Sequence, residues 1–267
     1  MEKLIKKLKT TIDEVDGTWS VVLNDITHQK QWKINEHDLH YAASIIKVPI
    51  MATVFSLADK GQLSMSEKII MKPEDQVGGS GVLQHLTPNE KISIADLTIL
   101  MIIQSDNTAT NMLIDVVGVE NIQQTMEHIG MEKSTFYNKL MIVPADLEGS
   151  NKITANDMSI MLNQMLLGKI SSYYACEKMI DMMKKQQIHY LTKNLPNHSS
   201  EYIGTERKWQ FASKTGNVTG TKHDMGILYV NGKIMTVTVL SSQCDKEVAL
   251  ETLSNIGRYI FQYLSQE

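Results

Sequence analysis

The chain has 267 residues, 26 of them Lys or Arg against 30 Asp or Glu, for a formal net charge of −4, and 42% are hydrophobic. That is enough apolar side chain to bury a substantial core, and it excludes disordered and collagen-like architectures. The slightly acidic balance gives no electrostatic reason to expect nucleic acid, and no stretch approaches the roughly 20 unbroken apolar residues of a membrane-spanning helix. Cys176 and Cys244 form no Cys-x-x-Cys pair, so neither a disulfide framework nor a thiolate metal site is indicated.

At the start of the chain Leu4, Leu8, Ile12 and Val15 recur at helical spacing among Lys3, Lys6, Lys7 and Lys9, which predicts an amphipathic helix. Such a helix either lies on a membrane surface or packs on its own domain. The acidic residues that follow at once, Asp13, Glu14 and Asp16, favour packing. The segment has neither the apolar run nor the small-residue cleavage site of a secretory signal; a cytoplasmic protein is expected, with a secreted mature form as the alternative.

Residues 19–25 and 31–35 read as two short strands joined by a polar turn. From about residue 44 to 205 the pattern is mainly helical. Among the 17 methionines, Met158, Met161 and Met165 share one helix face, a spacing better suited to core packing by flexible thioethers than to soft metal ligation. Residues 226–230 and 233–240 flank Asn231-Gly232, which supplies the positive φ angles of a tight hairpin. Leu250, Leu253, Ile256, Ile260 and Leu264 stripe a closing helix. Strands at both ends with helices between them predict an α+β fold, an α/β/α sandwich. Residues 1–43 and 206–267 would form an antiparallel sheet flanked by helices, residues 44–205 a helical lobe, and the two together one catalytic domain with a cleft between them.

Three motifs have the residue types that chemistry needs. In Ser44-Ile-Ile-Lys47, Pro49 requires a helix beginning near residues 44–46, so Lys47 shares a face with Ser44 at its N-terminal end. A serine beside an amine, with free backbone N–H groups at a positive dipole end, suits a nucleophile; a polar residue capping a core helix is the plainer reading. Ser105-Asp106-Asn107 breaks two helices and would either cap one of them or present a hydroxyl and an amide into a cleft. Lys214-Thr215-Gly216 ends the strand expected over residues 209–213, either as a glycine turn or as an anion-binding pair.

In this order the three motifs resemble the set of the class A β-lactamases and penicillin-binding proteins, and the intervals between them are similar to those of the class A branch. The resemblance covers nearly the whole chain and implies a role for each residue. Ser44 would be the acylated nucleophile, Lys47 its proton acceptor and Ser105 a proton relay toward the leaving nitrogen. Asn107 would bind the substrate's side-chain amide, while Lys214, Thr215 and Gly216 would hold its carboxylate. Asn217 would share the oxyanion hole with Ser44 through backbone N–H groups. No metal or cofactor is implied, the partner is a small molecule bearing a carboxylate, and a monomer is favoured.

The sequence departs from that family where the Glu-x-x-Leu-Asn loop belongs. With Leu147 on the motif leucine, Pro144 takes the glutamate position and Glu148 the asparagine position. Asp146 or Glu148 could supply the carboxylate that activates the deacylating water, or both could be solvated loop charges. Near the place of an arginine common in class A enzymes stand Lys222 and His223, both able to bind a carboxylate, His223 when protonated. Residues 77–82, rich in glycine, read as a flexible stretch at the cleft mouth, and Ser80 there lacks a nucleophile elbow. His37 and His40 have no further ligand cluster nearby, so a metal site is not expected. The leading expectation is a serine acyl-transfer hydrolase acting on β-lactams; a D-alanyl peptidase or esterase that β-lactams acylate, and a non-catalytic β-lactam or peptide sensor, are the alternatives.

Overall fold

The computed structural model describes residues 1–141, 149–196 and 208–266. The opening helix, α1 (Glu2–Asp13), buries Leu4, Leu8 and Ile12. Two antiparallel strands follow, β1 (Thr18–Asp25) and β2 (Lys30–Ile34). The middle of the chain runs through β3 (His40–Tyr41), α2 (Lys47–Asp59), β4 (Lys68–Ile70), β5 (Lys91–Ser93), α3 (Ile94–Ile103), α4 (Asn107–Val117) and α5 (Val119–Ile129). It continues with β6 (Lys152–Ile153), α6 (Ala155–Leu166) and α7 (Tyr173–Met183). The pairs β3–β6 and β4–β5 are short antiparallel ribbons that the helical pattern of this stretch did not foretell, because two or three residues carry no periodicity.

The chain returns to the sheet in β7 (Trp209–Val218), β8 (Thr221–Val230) and β9 (Lys233–Ser242), and closes with α8 (Lys246–Leu264). Asn231 and Gly232 have φ of 48° and 78°, the left-handed pair that the two-residue turn between β8 and β9 requires. The five strands lie in the order β2-β1-β9-β8-β7, all antiparallel, which puts β7 at an edge.

Alternation of side chains divides the core between the two faces of this sheet. On one face Val21, Leu23, Leu228, Val230 and Val237 pack with Leu4, Leu8 and Ile12 of α1 and Leu253, Ile256, Ile260 and Leu264 of α8. The apolar stripe of α1 is therefore spent inside the domain. On the other face Val22, Ala212, Met225, Ile227 and Leu240 share one cluster with α2, α3, α4 and α6, including Met158, Met161 and Met165. Among the described residues no helix is long and apolar enough to cross a membrane.

Candidate active site

Ser44 lies in a single 3₁₀ turn, Ala43–Ile46, that runs into α2. The α-helix proper begins at Lys47, a little later than the position of Pro49 suggested. Ala43 has φ of 44°, and the Ala42 N–H donates to Asn151 O at 2.9 Å, so the turn is held from outside. Lys47 is fully buried. Its Nζ stands 2.8 Å from Ser105 O and from Asn107 Oδ1, 3.1 Å from Ser105 Oγ and 3.2 Å from Ser44 Oγ. Four oxygens exceed the three donors of an ammonium. A neutral amine donates to the two nearest and keeps a lone pair for a serine hydroxyl. Burial first, and the nearby Lys214 ammonium second, hold Lys47 well below the usual lysine range against the pull of Asp106; both favour the neutral form.

Ser105 occupies the break between α3 and α4 with φ of 52°, a left-handed conformation that costs a non-glycine residue about 1–3 kcal/mol and persists only when its surroundings impose it. Asp106 is what imposes it here. One carboxylate oxygen caps α4 by accepting from Ala109 N at 2.9 Å, and the other accepts from Val82 N at 2.7 Å and Leu83 N at 2.9 Å. Asn107 adds N–H bonds to Ser80 O and, from Nδ2, to Gly78 O, both at 3.0 Å. Residues 77–82 are thus pinned to the motif and are not a free flap. Gly81 makes this approach possible: its φ is 109°, and a Cβ there would come within 2.3 Å of the Asp106 carboxyl carbon. Asn107 retains one amide N–H for a substrate.

The strand carrying Lys214-Thr215-Gly216 continues through Asn217 to Val218, so the motif sits within β7 and does not end it. Its position on an edge strand gives it a second function for its backbone. Val230 and Lys233 flank a two-residue turn and pair by hydrogen bonds, so even-numbered residues of β8 bond to β9 and odd-numbered ones to β7. Met225 and His223 then bond Lys214 and Gly216, which leaves the N–H and C=O groups of Thr215 and Asn217 pointing out of the sheet along its free edge. The Ser44 turn packs there, close enough that a Cβ on Gly216 would come 3.1 Å from the Ile45 side chain. Lys214 Nζ folds along the same edge, donating to Thr215 O at 2.9 Å and to Ser105 Oγ at 3.1 Å. Burial lowers it to about 7, with Asp224 opposing the fall.

His223 does not serve the site as expected from its position in the sequence. It is completely buried, and its Nε2 hydrogen-bonds Tyr41 O at 2.9 Å while Nδ1 accepts from Ser241 N at 3.1 Å. Those partners fix a neutral ring with the proton on Nε2, and burial pushes its pKa down to about 4. A substrate carboxylate finds no cation and no free donor there. Lys222 turns away as well, donating to the Asn217 side chain. Of Lys47, Lys214, Lys222 and His223, Lys47 and Lys214 converge, both on Ser105 Oγ. His40, the other histidine of interest, bonds Ser20 Oγ at 2.8 Å and Ser242 Oγ at 2.7 Å. Asp146 and Glu148 lie outside the described residues.

Two groups escaped sequence reasoning. Asp224 is fully buried behind Thr215, its partner in the β7–β8 register, and Tyr190 brings its hydroxyl beside the Thr215 side chain. A charged residue in the otherwise apolar strand Asp224-Met-Gly-Ile-Leu-Tyr-Val230 was the available signal.

A serine next to a desolvated amine, a second hydroxyl between two amines and a free strand edge opposite form an arrangement suited to a serine hydrolase. The chain matches the model of the β-lactamase enzyme family over residues 3–264 and belongs to that family. It is 26% identical over 235 residues to Beta-lactamase BRO-1 of Moraxella catarrhalis, covering 83% of this chain and 72% of that protein. The β-lactamase of Sphaerobacter thermophilus DSM 20745 superposes with a TM-score of 0.88 at 27% identity, over 98% of this chain and 96% of that one. The structure of PBP-A shares the fold, with a TM-score of 0.85 at 23% identity over 98% and 95% of the two chains. The function is therefore of serine β-lactamase type.

Proposed function

We propose that the protein opens β-lactam rings by the class A route, through an ester on Ser44, and that its substrates carry a carboxylate held by Lys214 and Thr215. One observation carries this reading: Lys47 Nζ lies 3.2 Å from Ser44 Oγ and 3.1 Å from Ser105 Oγ with its two closest partners elsewhere. The neutral amine takes the Ser44 proton as Oγ attacks the lactam carbonyl carbon. The oxyanion is met by the Ser44 and Asn217 N–H groups, each worth about 10²–10³ in rate. As the C–N bond breaks, the Ser105 hydroxyl donates its proton to the departing nitrogen and recovers one from Lys47. Asn107 donates its remaining amide N–H to the substrate's acyl side chain.

Release of the acyl group needs a base for water. Asp106, the carboxylate adjoining the cluster, is occupied by three backbone N–H groups; the candidates for the base are those that the sequence names, Asp146 and Glu148, which lie outside the described residues. Intact-protein mass spectrometry with benzylpenicillin tests the reading: an adduct equal to the drug's mass forms on the native protein and is absent from Ser44→Ala. Absence of both an adduct and hydrolysis of penicillins by the native protein would sink it. Whichever of Asp146→Asn and Glu148→Gln lengthens the adduct's lifetime identifies the base. A second reading, a peptidase or esterase that β-lactams acylate and leave slowly, is favoured by Pro144 at the expected glutamate position; a persistent adduct on the native protein, unaffected by either variant, would establish it.

A further inference from the structure

Asp224 takes no part in the chemistry above, yet it is a carboxylate with no exposed surface. Its Oδ2 accepts from Tyr190 N at 3.0 Å and from Leu191 N at 2.9 Å, and its Oδ1 is buried without a hydrogen-bond partner. A half-satisfied buried carboxylate is expensive, and a structural anchor for two backbone N–H groups does not need a charge, since an asparagine oxygen accepts as well. Its neighbours indicate what the charge does. It stands across the β7–β8 ladder from Thr215, one residue from Lys214. Tyr190 and His189 face this region from the segment before β7, Lys222 on its own strand is engaged with Asn217, β9 contributes Val239, and α8 packs on the adjoining Leu191 through Gly257. Among the described charged groups, Lys214 is the cation on which Asp224 acts.

We propose that Asp224 is a positioning residue of the carboxylate-binding wall, seated behind β7 so that its buried charge keeps Lys214 in the ammonium form a substrate carboxylate requires. This deepens the proposed function and rests on it. Burial alone drives Lys214 toward neutrality, and Asp224 opposes it. The coupling is mutual, since burial raises Asp224 to about 7 while the Tyr190 and Leu191 N–H groups and then Lys214 pull it down.

The test compares acylation of the native protein and Asp224→Asn by benzylpenicillin and by its neutral methyl ester between pH 6 and 9. Asparagine retains the acceptor for Tyr190 and Leu191 and removes only the charge. The expected result is about a tenfold rise in KM for the acid at pH 8, the effect of lowering the Lys214 pKa by one unit, with kcat within about twofold and the loss recovered at pH 6. The ester, having no carboxylate, should react equally with both proteins. In a Lys214→Arg background, where the cation cannot lose its proton, Asp224→Asn should leave KM unchanged. Equal losses for acid and ester, an unchanged pH profile, or a full effect in the Lys214→Arg background would overturn the proposal. Failure of the native protein to acylate at all would instead overturn the proposed function.

Discussion

Lys47 and Lys214 are both fully buried and both have Nζ 3.1 Å from Ser105 Oγ, yet the helical wall and the sheet wall of the site surround them differently. The helical wall surrounds Lys47 with neutral oxygens from Ser44, Ser105 and Asn107, and the carboxylate nearest to it is engaged with backbone N–H groups. The sheet wall gives Lys214 a carboxylate one strand away. Burial penalises the charge of each lysine; what differs is the neighbouring charge, which for Lys47 includes the opposing Lys214 ammonium and for Lys214 is the partly satisfied Asp224 carboxylate. On the roles proposed above, a shared residue type in one site is fitted to act as a base or as an anion binder by its neighbours.

The largest break in this comparison is Lys47→Ala, which removes the proposed proton acceptor and leaves the strand wall intact. Acylation should slow by about 10²–10⁴ with little change in affinity for a carboxylate, measured as single-turnover adduct formation against substrate concentration.

His223 offers a second way to sharpen it. The unfolded state takes up a proton on this residue near 6.5, whereas the folded state resists until about 4, so the stability tied to its neutral ring is fully present above pH 6.5 and is lost as pH falls toward 4. His223→Asn, which can still donate and accept, should flatten this loss by up to about 3 kcal/mol between pH 6.5 and 4 in chemical denaturation. His223→Arg should destabilise the protein at every pH by burying a charge between Tyr41 O and Ser241 N, without strengthening carboxylate binding.

The smallest effect is expected at the seam between the walls. Gly216→Ala should cost about 1–3 kcal/mol by overpacking against Ile45 and the His223 ring and move the strand from the Ser44 turn, read as a lower acylation rate with an unchanged pH profile. A normal rate in this variant would show that the turn and the edge tolerate separation.

The elements with strong local signals were legible along the chain. Asn231-Gly232 announced its hairpin because only such residues adopt two consecutive positive φ angles, and the stripe of α8 announced a helix because its period is 3.6. Ser44, Lys47, Ser105, Asn107 and Lys214 were legible as types at characteristic spacing. His223 was misread, since a histidine near the place of an arginine carries no mark of whether its ring faces a cleft or a carbonyl. The glycine-rich residues 77–82 were misread for a related reason: their composition signals freedom, but Asp106 and Asn107 consume that freedom from a distant part of the chain.

The sequence by itself determined which segments could form strands and helices and which residues could do acid, base or nucleophilic work, because propensity, periodicity and side-chain chemistry are local properties. Only the tertiary structure decided which charges those residues carry. Burial of Lys47, Lys214, His223 and Asp224, and the hydrogen bonds that each then finds, arise from elements brought together across the whole chain, and the free energy of a charge depends on everything within several ångströms of it.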